Sequence, residues 1–117
     1  MPGTRVLIVD DHAGFRGLAR RILEEGGFDV VGEARDAAEA LREARSLEPD
    51  LVLLDIHLPD GDGYQVSSEL TGDPHPPAVV LTSTHEPDDV IPAVEASGAR
   101  GFVPKHRLES RTVASFL

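Results

Sequence analysis

Three continuous apolar runs stand out along the chain: Val6-Leu7-Ile8-Val9, Leu51-Val52-Leu53-Leu54 and Ala78-Val79-Val80-Leu81. Each leads straight into a polar residue, Asp10, Asp55 and Thr82 respectively. Continuous rather than alternating apolar residues predict strands buried on both faces, as in a parallel sheet. Two weaker strands are expected at Phe28 to Val31 and at Gly101 to Val103. Asp29 interrupts the former, which suits an edge position.

Between these runs the period becomes helical. Phe15, Leu18, Ala19, Ile22 and Leu23 form the apolar stripe of a first helix, which Gly26-Gly27 stops. Asp36 is placed to cap a second helix whose Ala37, Ala40, Leu41 and Ala44 share a face, with Glu39 completing a capping-box-like pair. A third helix follows Gly63 and uses Tyr64, Val66 and Leu70. The fourth, from about Asp88 to Ala96, carries Pro92, which predicts a short, late-starting or kinked helix. The fifth is expected from about Arg107 to the end, with Val113, Phe116 and Leu117 apolar. Strand and helix alternating five times predict a flavodoxin-like doubly wound α/β fold: a five-stranded parallel sheet, order 2-1-3-4-5, flanked by five helices. The 117 residues suit a single domain spanning residues 1–117.

Charge narrows the function. The chain has 11 Lys+Arg against 21 Asp+Glu, a net charge of −10. Such a domain repels phosphate backbones and anionic lipid surfaces, so direct nucleic-acid binding and membrane association are not expected. No Cys is present, which excludes disulfides, thiolate metal sites and a Cys nucleophile. The apolar runs fall far short of the ~20 residues that span a bilayer. Met1-Pro2-Gly3-Thr4-Arg5 leads directly into the first strand, so no signal peptide and a cytoplasmic location are expected.

In open α/β sheets, sites form beyond the carboxyl ends of the strands. Those ends carry Asp10 and Asp11, Asp55, Thr82 and Ser83, and Lys105. Singly, each has a plain explanation: turn or cap residues for the acids and hydroxyls, a solvated charge for the lysine. Together they converge on one edge of the sheet. Three carboxylates in one crevice repel, and a hard divalent cation such as Mg²⁺ resolves the conflict. Lys105 adds a positive charge able to pair with a carboxylate or a phosphoryl oxygen, and Thr82 a hydroxyl able to donate to the same oxygen.

These residues sit in longer motifs. "VLIVDDH", "PDLVLLDIHLPDGDGYQV", "AVVLTS" and "GARGFVPK" resemble the receiver domain of bacterial two-component response regulators, from about Arg5 to Leu117. The resemblance implies that Asp55 is the phosphoacceptor, taking a phosphoryl group from the phosphohistidine of a sensor histidine kinase or a histidine phosphotransfer protein. It implies that Asp10, Asp11, Asp55 and the main-chain carbonyl of His57 hold Mg²⁺, or Mn²⁺ in its place. Thr82 matches the switch hydroxyl, Phe102 the switch aromatic and Lys105 the phosphoryl-binding lysine. Pro59 and Gly63 match the loop after the phosphoacceptor. The output face implied is that around helix 4, strand 5 and helix 5, with homodimerisation on phosphorylation as a further expectation, and the pattern resembles receivers that precede a DNA-binding output.

The interval from Thr82 to Lys105 is one residue longer than the family's, which leaves Ser83 as the alternative switch hydroxyl. Thr82 is favoured because the apolar run before it has the right length. His106 stands where the family often has Pro. His12, His75, His85 and His106 show no paired metal spacing and read as surface residues, and His57 as an exposed imidazole. A non-phosphorylated interaction module of the same fold is the main alternative. A phosphatase with an aspartyl-phosphate intermediate would want an acid at His57. A flavin carrier would want a phosphate-binding loop where Asp10-Asp11-His12 stands.

Overall fold

The computed structural model describes residues 3–84 and 87–117, and among these the side chains of all but 87–89. His85 lies outside the described residues. Five parallel strands form the main sheet: β1 (Arg5–Val9), β2 (Asp29–Ala34), β3 (Leu51–Asp55), β6 (Ala78–Ser83) and β7 (Gly101–Pro104). Their order is β2-β1-β3-β6-β7, which in chain order of the sheet's own strands is the expected 2-1-3-4-5. A two-residue antiparallel ribbon, β4 (His57–Leu58) with β5 (Gly61–Asp62), follows β3 directly and was not foreseen. The helices are α1 (Ala13–Glu25), α2 (Ala37–Leu47), α3 (Gly63–Thr71), α4 (Pro87–Ala96) and α5 (Ser110–Ala114).

The strands alternate their side chains between two apolar layers. Leu7, Val9, Val52, Leu54, Val79, Leu81 and Phe102 pack with Ala40 and Ala44 of α2, Val66 and Leu70 of α3, and Val90 and Val94 of α4. Val6, Ile8, Leu51, Leu53, Val80 and Val103 pack on the other face with Ala19 and Leu23 of α1 and Val113 of α5. Burial on both faces is why these strands read as unbroken apolar runs. At about 25 cal/mol per Å² of apolar surface removed from water, these two layers supply most of the folding drive.

Local signals worked where chemistry was local. Asp36 accepts from the Glu39 amide at 2.8 Å and starts α2. Glu39 reaches back to the Arg35 amide, one residue before the cap, at 2.9 Å. Gly27, at φ +95°, supplies the left-handed turn that ends α1.

Four expectations need correction. β2 starts at Asp29 and runs to Ala34, beyond Val31, because it follows β1 along its length. A register shift between Val6 and Leu7 skips Val31 and brings Leu7 opposite Gly32. Leu18 is 47% exposed, since α1 buries a narrow stripe of Ala19 and Leu23. α4 lies where expected, Pro87–Ala96, but of the alternatives offered for it the late start falls away, since Pro92 stays in its interior. Burial of Val90 and Val94 offsets the missing amide. The fifth helix is not continuous from Arg107. A 3₁₀ turn at Lys105–Arg107 comes first, then Leu108 breaks the helix by turning extended into the core, and α5 spans five residues. Phe116 folds back over Gly101, leaving no room for a Cβ there.

Candidate functional site

Parallel pairing sets the site. Val9 lies opposite Leu54 and Asp55 opposite Thr82, so Asp10, Asp55 and Thr82 leave the sheet at nearly one level. Ser83 lies opposite Pro104, which places Lys105 at the same edge. A cleft of about 260 Å³ opens there, lined by Asp11, His12, Asp55, His57, Leu58, Pro59, Thr84 and Lys105.

Asp10 and Asp55 are buried at 0% and 2% exposure. The Lys105 ammonium lies between them, 2.7 Å from Asp10 Oδ2 and 3.3 Å from Asp55 Oδ2. Its Nζ also sits 4.7 Å from the centre of the Phe15 ring, whose face favours a cation. The other Asp55 oxygen accepts from the His57 amide at 3.1 Å. Burial raises the Asp55 pKa above the usual carboxylate value. The His57 amide opposes that rise, the Asp10 charge adds to it and Lys105 opposes it, with a net upward shift. Partial burial would lower the Lys105 pKa, but Asp10 and Asp55 outweigh it and hold the ammonium above its ordinary value.

Asp10, Asp11, His12 and Asp55 each present one potential ligand atom, all within 4.8 Å of one another. Three carboxylates, two of them buried, face one ammonium, which leaves negative charge uncompensated at the cleft. Hard oxygen donors in that excess fit a divalent cation. The donor set therefore suits the ion the sequence implied.

The surrounding polypeptide holds these groups in place. Arg16 donates to the Asp10 carbonyl at 2.7 Å and to Glu33 at 2.9 Å, and Arg20 joins the same carboxylate at 2.9 Å. The Gly63 amide donates to the Ile56 carbonyl at 2.7 Å. A Cβ on Gly63 would collide with the Asp55 carbonyl and come within 2.9 Å of Ile56 Cα, so only glycine lets α3 approach the end of β3. Asp60, two residues beyond Leu58, accepts from the Ala37 and Ala38 amides at 2.7 and 3.1 Å, tying the loop to the start of α2. Those two amides hold its carboxyl below the usual value.

Of the residues singled out from sequence, Asp10, Asp11, Asp55 and Lys105 meet in one cleft, and His57 stands on its rim. Thr82 is fully buried beside Asp55, and its Oγ1 has no hydrogen-bond partner among the described residues. Ser83 points to the opposite face by strand alternation. Phe102 is not in the cleft. It is buried in the core opposite Leu81, one position before Thr82. Sequence reasoning missed Arg16, Asp60 and Phe15. Arg16 lies off the apolar stripe of α1, a sign that it serves something other than the core.

His12 is exposed, as its reading as a surface residue expected, but it is not isolated from the cleft. Its ring is 70% exposed, yet Nδ1 lies 3.0 Å from Asp11 Oδ1 and 3.2 Å from Asp10 Oδ1. Paired histidine spacing carries no trace of this contact, because the partners of His12 are the two acids immediately before it.

Comparison with known proteins follows the same outline. The response regulator receiver domain family matches residues 6–115. The chemotaxis protein CheY of Thermotoga maritima is 37% identical over 112 residues, covering 95% of this chain and 92% of that protein. The solved signal receiver domain of NarL from Mycobacterium tuberculosis superposes with a TM-score of 0.90 at 34% identity, covering 98% of this chain and 96% of that one. CheY in the CheX–CheY–BeF3–Mg²⁺ complex from Borrelia burgdorferi superposes at 0.85 with 26% identity, covering 98% and 87%. The chain spans about half the length of the transcriptional regulators it matches, 49% of one from Pseudomonas aeruginosa and 53% of NarL.

Proposed function

The chain belongs to the response regulator receiver domain family, and on that premise we propose that it is the phosphoacceptor switch of a two-component phosphorelay, with Asp55 as the acceptor. The observation that carries this reading is the placement of Asp55: buried, flanked by Asp10, bridged by Lys105 and open to the cleft. Receiver domains of response regulators work with histidine kinases, and their role is signalling rather than metabolic turnover.

The chemistry needs little covalent machinery. An Asp55 carboxylate oxygen attacks phosphorus in line, forming an O–P bond as the P–N bond to the donor histidine breaks. The electron pair leaves with the imidazole, which takes up a proton. Asp55 is itself the nucleophile, so no general base is required. Lys105 stands 3.3 Å from Asp55 Oδ2, within reach of a phosphoryl oxygen attached there. Asp10, Asp11, Asp55 and the His57 carbonyl would hold Mg²⁺ or Mn²⁺, which when bound neutralises charge on the transferred group. The Mg²⁺ named in the Borrelia complex fits a divalent ion as the group such a site would take.

The product adds negative charge and acceptor oxygens beside Thr82. A buried hydroxyl lacking a partner gains one by turning toward that group. Register favours Thr82 over Ser83, since Thr82 pairs with Asp55 directly. Phe102, in the same core layer as Val90 and Val94, then follows the space vacated near Leu81 and alters the surface around α4, β7 and α5. Residues 1–117 act as one receiver unit in this reading. The half-length match to transcriptional regulators fits an N-terminal part of a DNA-binding protein that dimerises on phosphorylation. No described helix is long and apolar enough to cross a membrane, in keeping with a cytoplasmic location.

Label transfer from a phosphorylated histidine kinase tests the assignment. Wild-type protein is expected to take the label and Asp55→Asn to lose it. Retention of label in Asp55→Asn refutes the acceptor. Failure of the wild type to accept phosphate from kinase or small-molecule donors favours a non-phosphorylated interaction module.

A further inference from the structure

Among the described cleft residues, His12 presents a nitrogen donor that the phosphoacceptor chemistry leaves unused. We propose that its imidazole is an additional ligand of the metal site, raising the pocket's affinity for first-row divalent ions, Mn²⁺ among them, relative to Mg²⁺. The proposal rests on the phosphoacceptor reading, since it concerns the ion that reading requires.

Distances carry it. Donors at right angles on an ion with bonds of about 2.1 Å stand roughly 3.0 Å apart. His12 Nδ1 is 3.0 Å from Asp11 Oδ1 and 3.2 Å from Asp10 Oδ1. Both match neighbouring positions on such an ion. The remaining acid, Asp55, has a carboxylate oxygen within the same 4.8 Å group, and the four donors would draw together to the ~4.2 Å that opposite positions on such an ion allow.

The ring is not a free surface side chain that happens to drift there. The His12 amide donates to Asp10 Oδ1 at 2.8 Å, and its carbonyl accepts from the Arg16 amide at 3.1 Å as α1 begins. Its backbone is thus fixed on the carboxylate it would share a metal with. The ring itself remains on the solvent side of the pocket, where it can take its place without displacing buried groups.

Nitrogen changes selectivity. Carboxylate and water oxygens suit Mg²⁺ and Mn²⁺ alike, whereas imidazole favours the borderline ions, and affinity for nitrogen sites rises from Mn²⁺ onward along the first row. Mn²⁺ accepts the octahedral mixed set that three carboxylates and one imidazole provide. A hydrogen bond from His12 to the acids gives similar distances but no such selectivity.

The test uses the untagged full chain loaded with Mn²⁺. Pulsed electron paramagnetic resonance is expected to show nitrogen hyperfine coupling that vanishes in His12→Asn. In titrations followed by Mn²⁺ resonance and Mg²⁺ competition, His12→Asn is expected to weaken Mn²⁺ by roughly tenfold while changing Mg²⁺ far less. Bound Mn²⁺ without nitrogen coupling, or equal loss of both ions, overturns the role of His12 and leaves the phosphoacceptor reading intact. Absence of any divalent binding by the wild type overturns that reading and this one with it.

Discussion

α1 and α2, which flank β1 and β2, run for 13 and 11 residues, whereas α4 and α5 beside β7 run for 10 and 5. The contrast extends to polar groups. α2 has two acceptors at its start, Asp36 and Asp60, and α1 is pinned to β2 through Arg16, Arg20 and Glu33. α4 has a proline in its interior, and Thr82 has a buried hydroxyl with no partner among the described residues. The acids of the cleft thus border the half of the sheet whose polar groups are the better paired. The residues proposed to move sit on the half with less to lose. A switch needs a fixed site and a neighbouring region with a small gap between arrangements, and such regions come from the low-stability end of a fold.

Matched leucines sharpen that contrast most. Leu53 in β3 and Leu81 in β6 are both fully buried. Leu53→Ala is expected to lower unfolding free energy by about 4 kcal/mol, and Leu81→Ala by about 2–3, because α4 can settle into the space more readily than α1. Equal losses by denaturant titration would break the comparison.

Lys105→Ala probes the link between the halves. It leaves Asp10 and Asp55 facing one another unneutralised, and a loss on the order of 2 kcal/mol is expected at neutral pH, reduced because the lysine is partly exposed. Since the Lys105 pKa is raised on folding, its contribution is fully present below the ordinary lysine value and fades as pH rises through the higher folded one. Wild-type stability followed into alkaline pH should decline there more than that of Lys105→Ala. Parallel declines would contradict the pairing.

Asp36→Ala is expected to remove about 1 kcal/mol and to speed amide exchange in the first turn of α2. The effect should grow when Asp60→Ala is added, since both acids serve the same helix start. Additive, independent effects would mean that the loop after Asp55 and α2 are not coupled.

The smallest effect concerns Glu33. Partial burial would raise its pKa, but Arg20 and Arg16 outweigh that and lower it. Its contribution is present above the unfolded carboxyl value and is lost as pH falls through the lower folded one. Glu33→Gln should cost about 0.5 kcal/mol at neutral pH and nothing in acid. A pH-independent cost, measured by thermal melts, would assign Glu33 a packing role.

The same contrast explains what could be read from sequence. Val6–Val9, Leu51–Leu54 and Ala78–Leu81 are buried on both faces, so their composition alone announces central strands, and Asp10, Asp55 and Thr82, which follow them, cannot avoid one shared edge. Asp36 and Gly27 act on their immediate neighbours, so their effect was visible too. Leu108 was not: its inward turn depends on a core formed by distant strands, and it cuts the last helix short. Asp60 and Arg16 act across 23 and 17 residues, on Ala37 and Glu33, a reach that no local pattern shows.

The most direct measurement is intact mass after incubation with acetyl phosphate, with and without Mg²⁺, for wild type and Asp55→Asn. One added phosphoryl group on the wild type with Mg²⁺, none when the ion is chelated, and none on the variant is the expected result. An unchanged wild-type mass, or phosphate gained equally without a divalent ion or without Asp55, would contradict the account.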